Sequence, residues 1–269
     1  MDAGVFGLKD KVAMVVGGGR GMGRSSSLWL AQAGCHVSVI DFDDDLGQKV
    51  SQEVKDLGRK SVHVHADVSK VSECQKMVAE SVKKLGKVDV VVNIVGGSMK
   101  KMAVDFTEAE YDQVQVLNAK YVFFTNQAFA KHAMETKHGG SIVNISSISG
   151  YDSSPYHSTY GIAKAGLINL TKSLATEWGP HGIRINSIAP GSIATPKAAG
   201  DYATMPERRK RLEEIVPLRR FGTTDEIAKV VLFFASDLSS YVTGQTIPVD
   251  GGRTALYKYW MASEAGQVV

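Results

Sequence analysis

The chain has 269 residues, 43% hydrophobic and 22% charged, which excludes fibrous and disordered classes. Its 31 basic and 28 acidic side chains leave a formal charge of +3, too balanced for the concentrated basic face of a nucleic-acid binder. Cys35 and Cys74 lie outside any C-x-x-C spacing, which argues against a disulfide scaffold or zinc knuckle and fits a reducing cytoplasm. Residues 1–11 lack a basic segment followed by an apolar core, and no apolar run reaches the ~18 residues of a membrane span. A soluble cytoplasmic protein with no membrane partner is expected.

In chain order, the β-branched run Val12–Val16 reads as a buried parallel strand, followed by a glycine turn and a helix over Met22–Ala33. Strands follow at His36–Ile40 and Ser61–His65, then a helix at Val71–Leu85 and a strand at Val88–Asn93. A helix over Tyr111–His132 leads to a strand at Ser141–Ser146, a helix over Tyr160–Trp178 and a strand at Arg184–Ile188. A helix over Asp225–Ala235 and a seventh strand at Thr246–Val249 close the pattern. The alternation predicts one α/β domain over 1–269, a Rossmann-like doubly wound parallel sheet of seven strands flanked by helices. Ala198–Val216 is the least regular stretch. Its Arg208, Arg209, Lys210 and Arg211, flanked by Glu207, Glu213 and Glu214, read as a solvated helical face with (i, i+4) ion pairs rather than an anion site.

The turn after the first strand carries Gly17, Gly21 and Gly23. Glycine lets the backbone approach a pyrophosphate without a Cβ in the way, and the helix that starts here aims free N–H groups and its positive dipole end at the anion. The strand–turn–helix context makes this a dinucleotide cradle formed by Gly17, Arg20, Gly21, Met22 and Gly23. Asp41 closes the second strand 18 residues beyond Gly23, a spacing suited to the adenosine ribose hydroxyls. Asp43, Asp44 and Asp45 deepen the negative potential, so NAD is expected over NADP, with Arg20 alone against four carboxylates.

Tyr160 and Lys164 stand four apart in a helix and face the same way. A free phenol has a pKa of ~10, and a neighbouring ammonium lowers it toward the range useful for acid–base catalysis. Ser147 ends the fifth strand, at the carboxyl edge where open α/β sheets bind ligands. Ser149, Tyr151 and Tyr156 lie between these residues and read as the substrate wall, with flat tyrosine faces suited to a cyclic or aromatic substrate.

On these residues the chain resembles a classical short-chain dehydrogenase/reductase. The family's serine matches Ser147 in Asn-Ile-Ser-Ser-Ile-Ser-Gly, its Tyr-x-x-x-Lys matches Tyr160 and Lys164, and its fourth active-site residue matches Asn118. The resemblance runs from about residue 8 to 252 and implies an oxidoreductase. Tyr160 would be its general acid/base, Ser147 the orienter of the substrate oxygen and Lys164 the ligand of the nicotinamide ribose. Asn118 would hold a proton-relay water. The resemblance also implies cofactor contacts from Asp67, Val68, Asn93, Ile193 and Thr195. It further implies a homotetramer or homodimer built on Tyr121–His132 and Tyr160–Trp178.

The implied reaction interconverts a secondary alcohol and a ketone, the substrate being cyclic, aromatic, terpenoid, steroid-like, polyol or sugar. Two alternatives remain: a 3-oxoacyl-thioester (acyl carrier protein) reductase, and a non-catalytic nucleotide-binding protein on the same fold.

Two positions depart from the family. Val16 replaces the usual threonine, and Ile94 replaces the second asparagine of the turn after the fourth strand. The expectation is that a polar contact between the two turns has become an apolar one. His63 and His65 share a strand face without further partners at ligand spacing, so no metal site is expected. The tail Arg253–Val269, with Tyr257, Tyr259 and Trp260, reads as an element of a subunit interface or of the substrate mouth.

Overall fold

β1 (Val12–Val16) is buried on both faces: Ala13 and Val15 enter one hydrophobic core, Met14 and Val16 the other. β-branched side chains suit that pleated, doubly covered position. The computed structural model describes residues 3–196 and 205–256. Its further strands are β2 (His36–Asp41), β3 (Ser61–His65), β4 (Val90–Asn93), β5 (Gly140–Ile145), β6 (Ile183–Pro190) and β7 (Thr246–Val249). Every pairing is parallel, and the order is β3-β2-β1-β4-β5-β6-β7.

Helices cover both faces. One core joins α1 (Gly21–Gln32), α2 (Asp44–Asp56) and, near the end of the chain, α8 (Thr224–Ala235), through Leu30, Val50, Val54, Ile227 and Phe234. The other joins α3 (Val71–Leu85), α5 (Tyr121–Thr136) and α6 (Ser158–Trp178), through Met77, Tyr121, Phe129 and Leu167. Each such large apolar side chain contributes about 1.5–3 kcal/mol relative to exposure. α4 (Glu108–Gln115) and α7 (Pro206–Glu214) complete the set. The strand order reverses between β1 and β4, so successive crossovers leave to opposite faces and open a crevice at the carboxyl ends of these strands.

Two elements differ from the sequence expectation. α2 was not anticipated, because its acidic start reads as a charged loop; Asp43 is in fact its N-cap and accepts from the Leu46 N–H at 3.1 Å. The helix expected over Tyr111–His132 is α4 and α5, joined by a π-helical turn at Val116–Lys120. Such a turn inserts a residue into the ladder and carries little propensity signal. Within the irregular stretch, α7 forms the expected solvated face, with Arg209 Nε 2.9 Å from Glu213 Oε1. Of the C-terminal tail, Tyr257, Tyr259 and Trp260 lie outside the described residues.

Candidate active site

The cradle is built by what glycine permits. Gly17 and Gly21 take φ values of +81° and +53°, the left-handed region that favours glycine. A Cβ on Gly23 would stand 1.8 Å from the Gly17 carbonyl oxygen, so Gly23 lets α1 dock on the turn. Arg20 is the N-cap of α1 and gives no side-chain cap bond, which leaves the first-turn N–H groups of the helix, at Gly21 and Met22, available to an anion. The turn is tied down from below by Gly17 and Gly18 N–H groups donating to the Ile40 carbonyl. These residues fit a pyrophosphate.

Asp41 is buried at the end of β2. Its carboxylate accepts the Gly19 N–H at 2.8 Å and the Asp43 N–H at 3.1 Å, which fixes it beside the cradle with lone pairs remaining for a ribose. The acidic run does not act as one block. Asp43 caps α2, and Asp44 sits 2.9 Å from His65 Nδ1, with His63 also near. The two histidines are thus partners of a carboxylate, and no metal-ligating cluster occurs among the described residues. Phe42, unremarked in the sequence, is 64% exposed and directly follows Asp41 at the end of β2.

Ser147, Tyr160 and Lys164 converge at the carboxyl end of β5. Lys164 is buried on α6, donates to the Ile145 carbonyl at 2.9 Å and lies 5.4 Å from the centroid of the Tyr160 ring. Burial lowers its pKa to about 7. Burial raises the Tyr160 phenol above its ordinary value, while a hydrogen bond with Ser147 pulls it down. The expected lowering of Tyr160 is thus not found: burial raises the phenol and works against the charged forms of both residues. Ser147 is extended, and its Oγ accepts the Ser149 N–H at 3.1 Å. Ser146, missed in the sequence, donates to the Lys164 carbonyl at 3.0 Å and ties β5 to α6.

Asn118 sits in the π turn and is fully buried. Its amide donates to the Gly97 and Val114 carbonyls at 2.7 and 2.9 Å, and its oxygen accepts the Gly97 N–H at 3.2 Å. The side chain thus braces the turn after β4. A Cβ on Gly96 would lie 2.9 Å from the Asn118 oxygen and 3.4 Å from Lys164 Nζ, so this glycine makes room for the cluster.

The remaining expected residues divide. Thr195 and Pro196 come near Gly21, and Ile193 is pinned by a bridge to Gly222, so the 193–196 segment flanks the cradle. Asp67 accepts from the Ser69 N–H and hydroxyl, which, with Lys70, hold its carboxyl below the usual range. Val68 packs in the core beside Cys74. Asn93 turns its amide inward to Asn126 and Asn144, at 2.7 and 2.9 Å. Ser149 lines a cavity of about 160 Å³ with Ser147, Asp152, Ser153, Ser192 and Arg253. Tyr151 instead donates to the Thr246 carbonyl at 3.1 Å, and Tyr156 is 53% exposed under the Lys100 ammonium; neither lines that cavity.

The expected Val16–Ile94 pair is not formed. The two turns do meet, through the Ile94 N–H and Val16 carbonyl at 3.1 Å, but Val16 faces one core and Ile94 the other. Neighbouring residues of adjacent strand ends alternate faces, and Val95 is the one that joins the core of Val16.

A glycine cradle at the switch point and a Ser–Tyr–Lys cluster beside it define a nucleotide-dependent oxidoreductase. A profile described as Enoyl-(Acyl carrier protein) reductase matches residues 16–254. The 2-dehydro-3-deoxy-D-gluconate 5-dehydrogenase of Dickeya dadantii is 34% identical over 92% of this chain and 96% of its own. A 3-oxoacyl-[acyl-carrier-protein] reductase of Staphylococcus epidermidis is 37% identical over 90% and 98%. Among solved structures, a 7α-hydroxysteroid dehydrogenase complexed with NADH superposes with a TM-score of 0.87 at 31% identity, over 91% of this chain and 94% of that one. A putative 2-deoxy-D-gluconate 3-dehydrogenase of Agrobacterium tumefaciens with bound NADP gives 0.86 at 30%, over 93% and 98%. The chain belongs to the classical short-chain dehydrogenase/reductase family, whose members use a nicotinamide cofactor.

Proposed function

We propose that the protein is an NAD-dependent oxidoreductase that interconverts a secondary alcohol and a ketone on a small, hydroxylated substrate. The observation that carries this is the juxtaposition of Ser147, Tyr160 and a buried Lys164 anchored on the Ile145 carbonyl. The polar cavity at Ser147, lined by Ser149, Asp152, Ser153, Ser192 and Arg253, favours a polyol or sugar derivative over a terpenoid or steroid. The sugar-acid relative supports the same choice. NAD is favoured because Asp41 is held against the cradle by two backbone N–H groups and would repel a 2′-phosphate.

Gly17, Arg20, Gly21, Met22 and Gly23 would hold the pyrophosphate. Asp41 would hold the adenosine ribose, Asp67 and Val68 the adenine, and Ile193, Thr195, Tyr160 and Lys164 the nicotinamide end. The nicotinamide supplies or takes up the hydride. Tyr160 gives its phenolic proton to the substrate oxygen in reduction and receives it in oxidation. Ser147 donates to that oxygen and stabilises the charge that develops on it. Lys164 stands close enough to stabilise the phenolate. Asn118 acts as a positioning residue for the 96–97 turn.

Assembly as a dimer or tetramer is supported by the exposed apolar side chains Phe123 on α5 and Ile162 on α6. A cytoplasmic location fits the buried free thiols of Cys35 and Cys74, and no helix among the described residues is long and apolar enough to cross a membrane.

The test is reduction of NAD and NADP in parallel over a panel of polyols, sugars, hydroxy acids and cyclic alcohols, with Tyr160→Phe alongside. NAD is expected to exceed NADP at least about tenfold in kcat/KM. Tyr160→Phe is expected to lose about 10²–10⁴ in kcat with its NAD affinity kept, the usual worth of a general acid/base. Equal use of NADP overturns the cofactor assignment. No turnover by the wild-type chain on any panel member, with NAD still bound, would favour a nucleotide-binding protein. One observation favours the thioester reading: Arg208, Lys210 and Arg211 are exposed on α7, as an acidic carrier protein requires. NADPH-driven reduction of a 3-oxoacyl thioester would select it.

A further inference from the structure

We infer that Arg253 is a substrate-binding residue that takes a carboxylate, so that the substrate of this enzyme is a hydroxy or keto acid. The inference deepens the oxidoreductase reading and rests on it. Three observations point to Arg253 as a residue of the site. First, Arg253 lines the same cavity as Ser147, the residue assigned to the reacting oxygen. Second, its position is dictated by backbone that only glycine accommodates. Gly251 and Gly252 take φ values of +66° and +91°, and Cβ atoms on them would lie 2.7 Å from Val216 Cγ1 and 3.0 Å from Pro217 Cγ. The chain therefore passes under the 216–218 segment and delivers Arg253 in a single 3₁₀ turn, Arg253–Ala255. Gly191 allows the same close approach from the other side, since its Cβ would meet the Asp250 backbone at 2.8 Å.

Third, the charge is uncommitted among the described residues. Arg253 makes no side-chain hydrogen bond or ion pair with a described residue, although it is half-buried. The nearest carboxylate in sequence, Asp250, is occupied in its own turn by the Gly252 and Thr254 N–H groups at 2.9 and 2.7 Å and by the Thr254 hydroxyl at 2.7 Å. Asp152 shares the cavity without forming an ion pair with Arg253. A half-buried guanidinium without a partner is costly and is satisfied by a planar, bidentate anion, for which its fork of donors is suited. Asp152 and the serines Ser149, Ser153 and Ser192 are left for the hydroxyl groups.

Further cations gather around Tyr156 and His157. Lys100 lies over the Tyr156 ring at 5.9 Å. Burial holds the His157 imidazole below its ordinary value, and the charges of Lys100 and Arg208 push in the same direction.

The test is isothermal titration of the full chain, saturated with NADH, with gluconate and with its uncharged amide gluconamide as probes. Gluconate is expected to bind at least about tenfold more tightly than the amide, the ordinary advantage of a charge-assisted pair. Arg253→Gln is expected to erase that preference while leaving NADH affinity intact, and Arg253→Lys to keep a reduced preference. Equal binding of acid and amide, no binding of either, or a preference unchanged in Arg253→Gln overturns the proposal. The titration reads binding alone. A preference that follows Arg253 in a chain without turnover would sink the oxidoreductase reading and not the carboxylate site.

Discussion

Lys164 is a buried basic residue on α6. Its pKa falls to about 7 because burial disfavours the ammonium. The unfolded chain then binds more protons than the folded one between pH 7 and the ordinary lysine value of about 10.4, so this residue makes stability rise with pH in that range. The buried thiols oppose it at higher pH. Cys35 is pushed up to about 12 and Cys74 is raised, so the unfolded chain loses those protons first, above about pH 8.5. The histidines lowered by burial, His36, His132 and His157, act below about pH 6.5. The window from pH 7 to 8.5 isolates Lys164. Urea unfolding there is expected to show stability climbing by up to about 1.4 kcal/mol per pH unit, and Lys164→Met to flatten the climb. A slope equal in both proteins would show that the ammonium is not buried. The proximity of the proposed reacting pair was legible in the sequence, since four-residue helical spacing places Tyr160 and Lys164 on one face. The direction of the phenol's shift was not, because burial depends on what packs over the helix.

Among the elements, α1 is the one on which the cradle depends. Its docking needs hydrogen rather than methyl at Gly23, where a Cβ would meet the Gly17 carbonyl oxygen at 1.8 Å. The obstacle is backbone, so no rotamer relieves it. Gly23→Ala is expected to shift α1 off the turn and weaken NAD binding at least about tenfold, with a stability loss of about 1–3 kcal/mol of the overpacking kind. Unchanged NAD affinity by titration would show that the turn tolerates the displacement. The elements themselves were mostly readable from period and β-branching, and all seven strands lie where expected to within two residues. The two misreadings have one cause. Asp43–Asp45 look like a charged loop until α2 needs a cap, and the π turn at Val116–Lys120 looks like continuous helix until Asn118 must reach Gly97. In both cases a partner distant in sequence decides.

For the whole molecule, the cleft joins turns from β1, β2, β4, β5 and β6, so a ligand bound there ties together both cores. NAD at about 100 times its dissociation constant would stabilise the chain by about 2.7 kcal/mol. For a chain of this size that corresponds to a rise in Tm of about 5–10 °C. NADP at equal concentration is expected to give a smaller shift, and Asp41→Ser to narrow the difference. Identical shifts for the two cofactors in the wild-type chain would remove Asp41 as the discriminating group.

The sequence by itself determined the doubly wound sheet, the glycine cradle and the Ser–Tyr–Lys set. Each of these rests on short-range periodicity or on a local backbone requirement. Tertiary structure alone decided which polar side chains face the cleft. It turned Asn93 into the core, tied Tyr151 to β7, split Val16 and Ile94 between two cores and brought Arg253, more than ninety residues from Tyr160, to the cavity of Ser147. Those outcomes depend on which strands are neighbours and how closely glycine lets segments pass, and one sequence read locally carries neither.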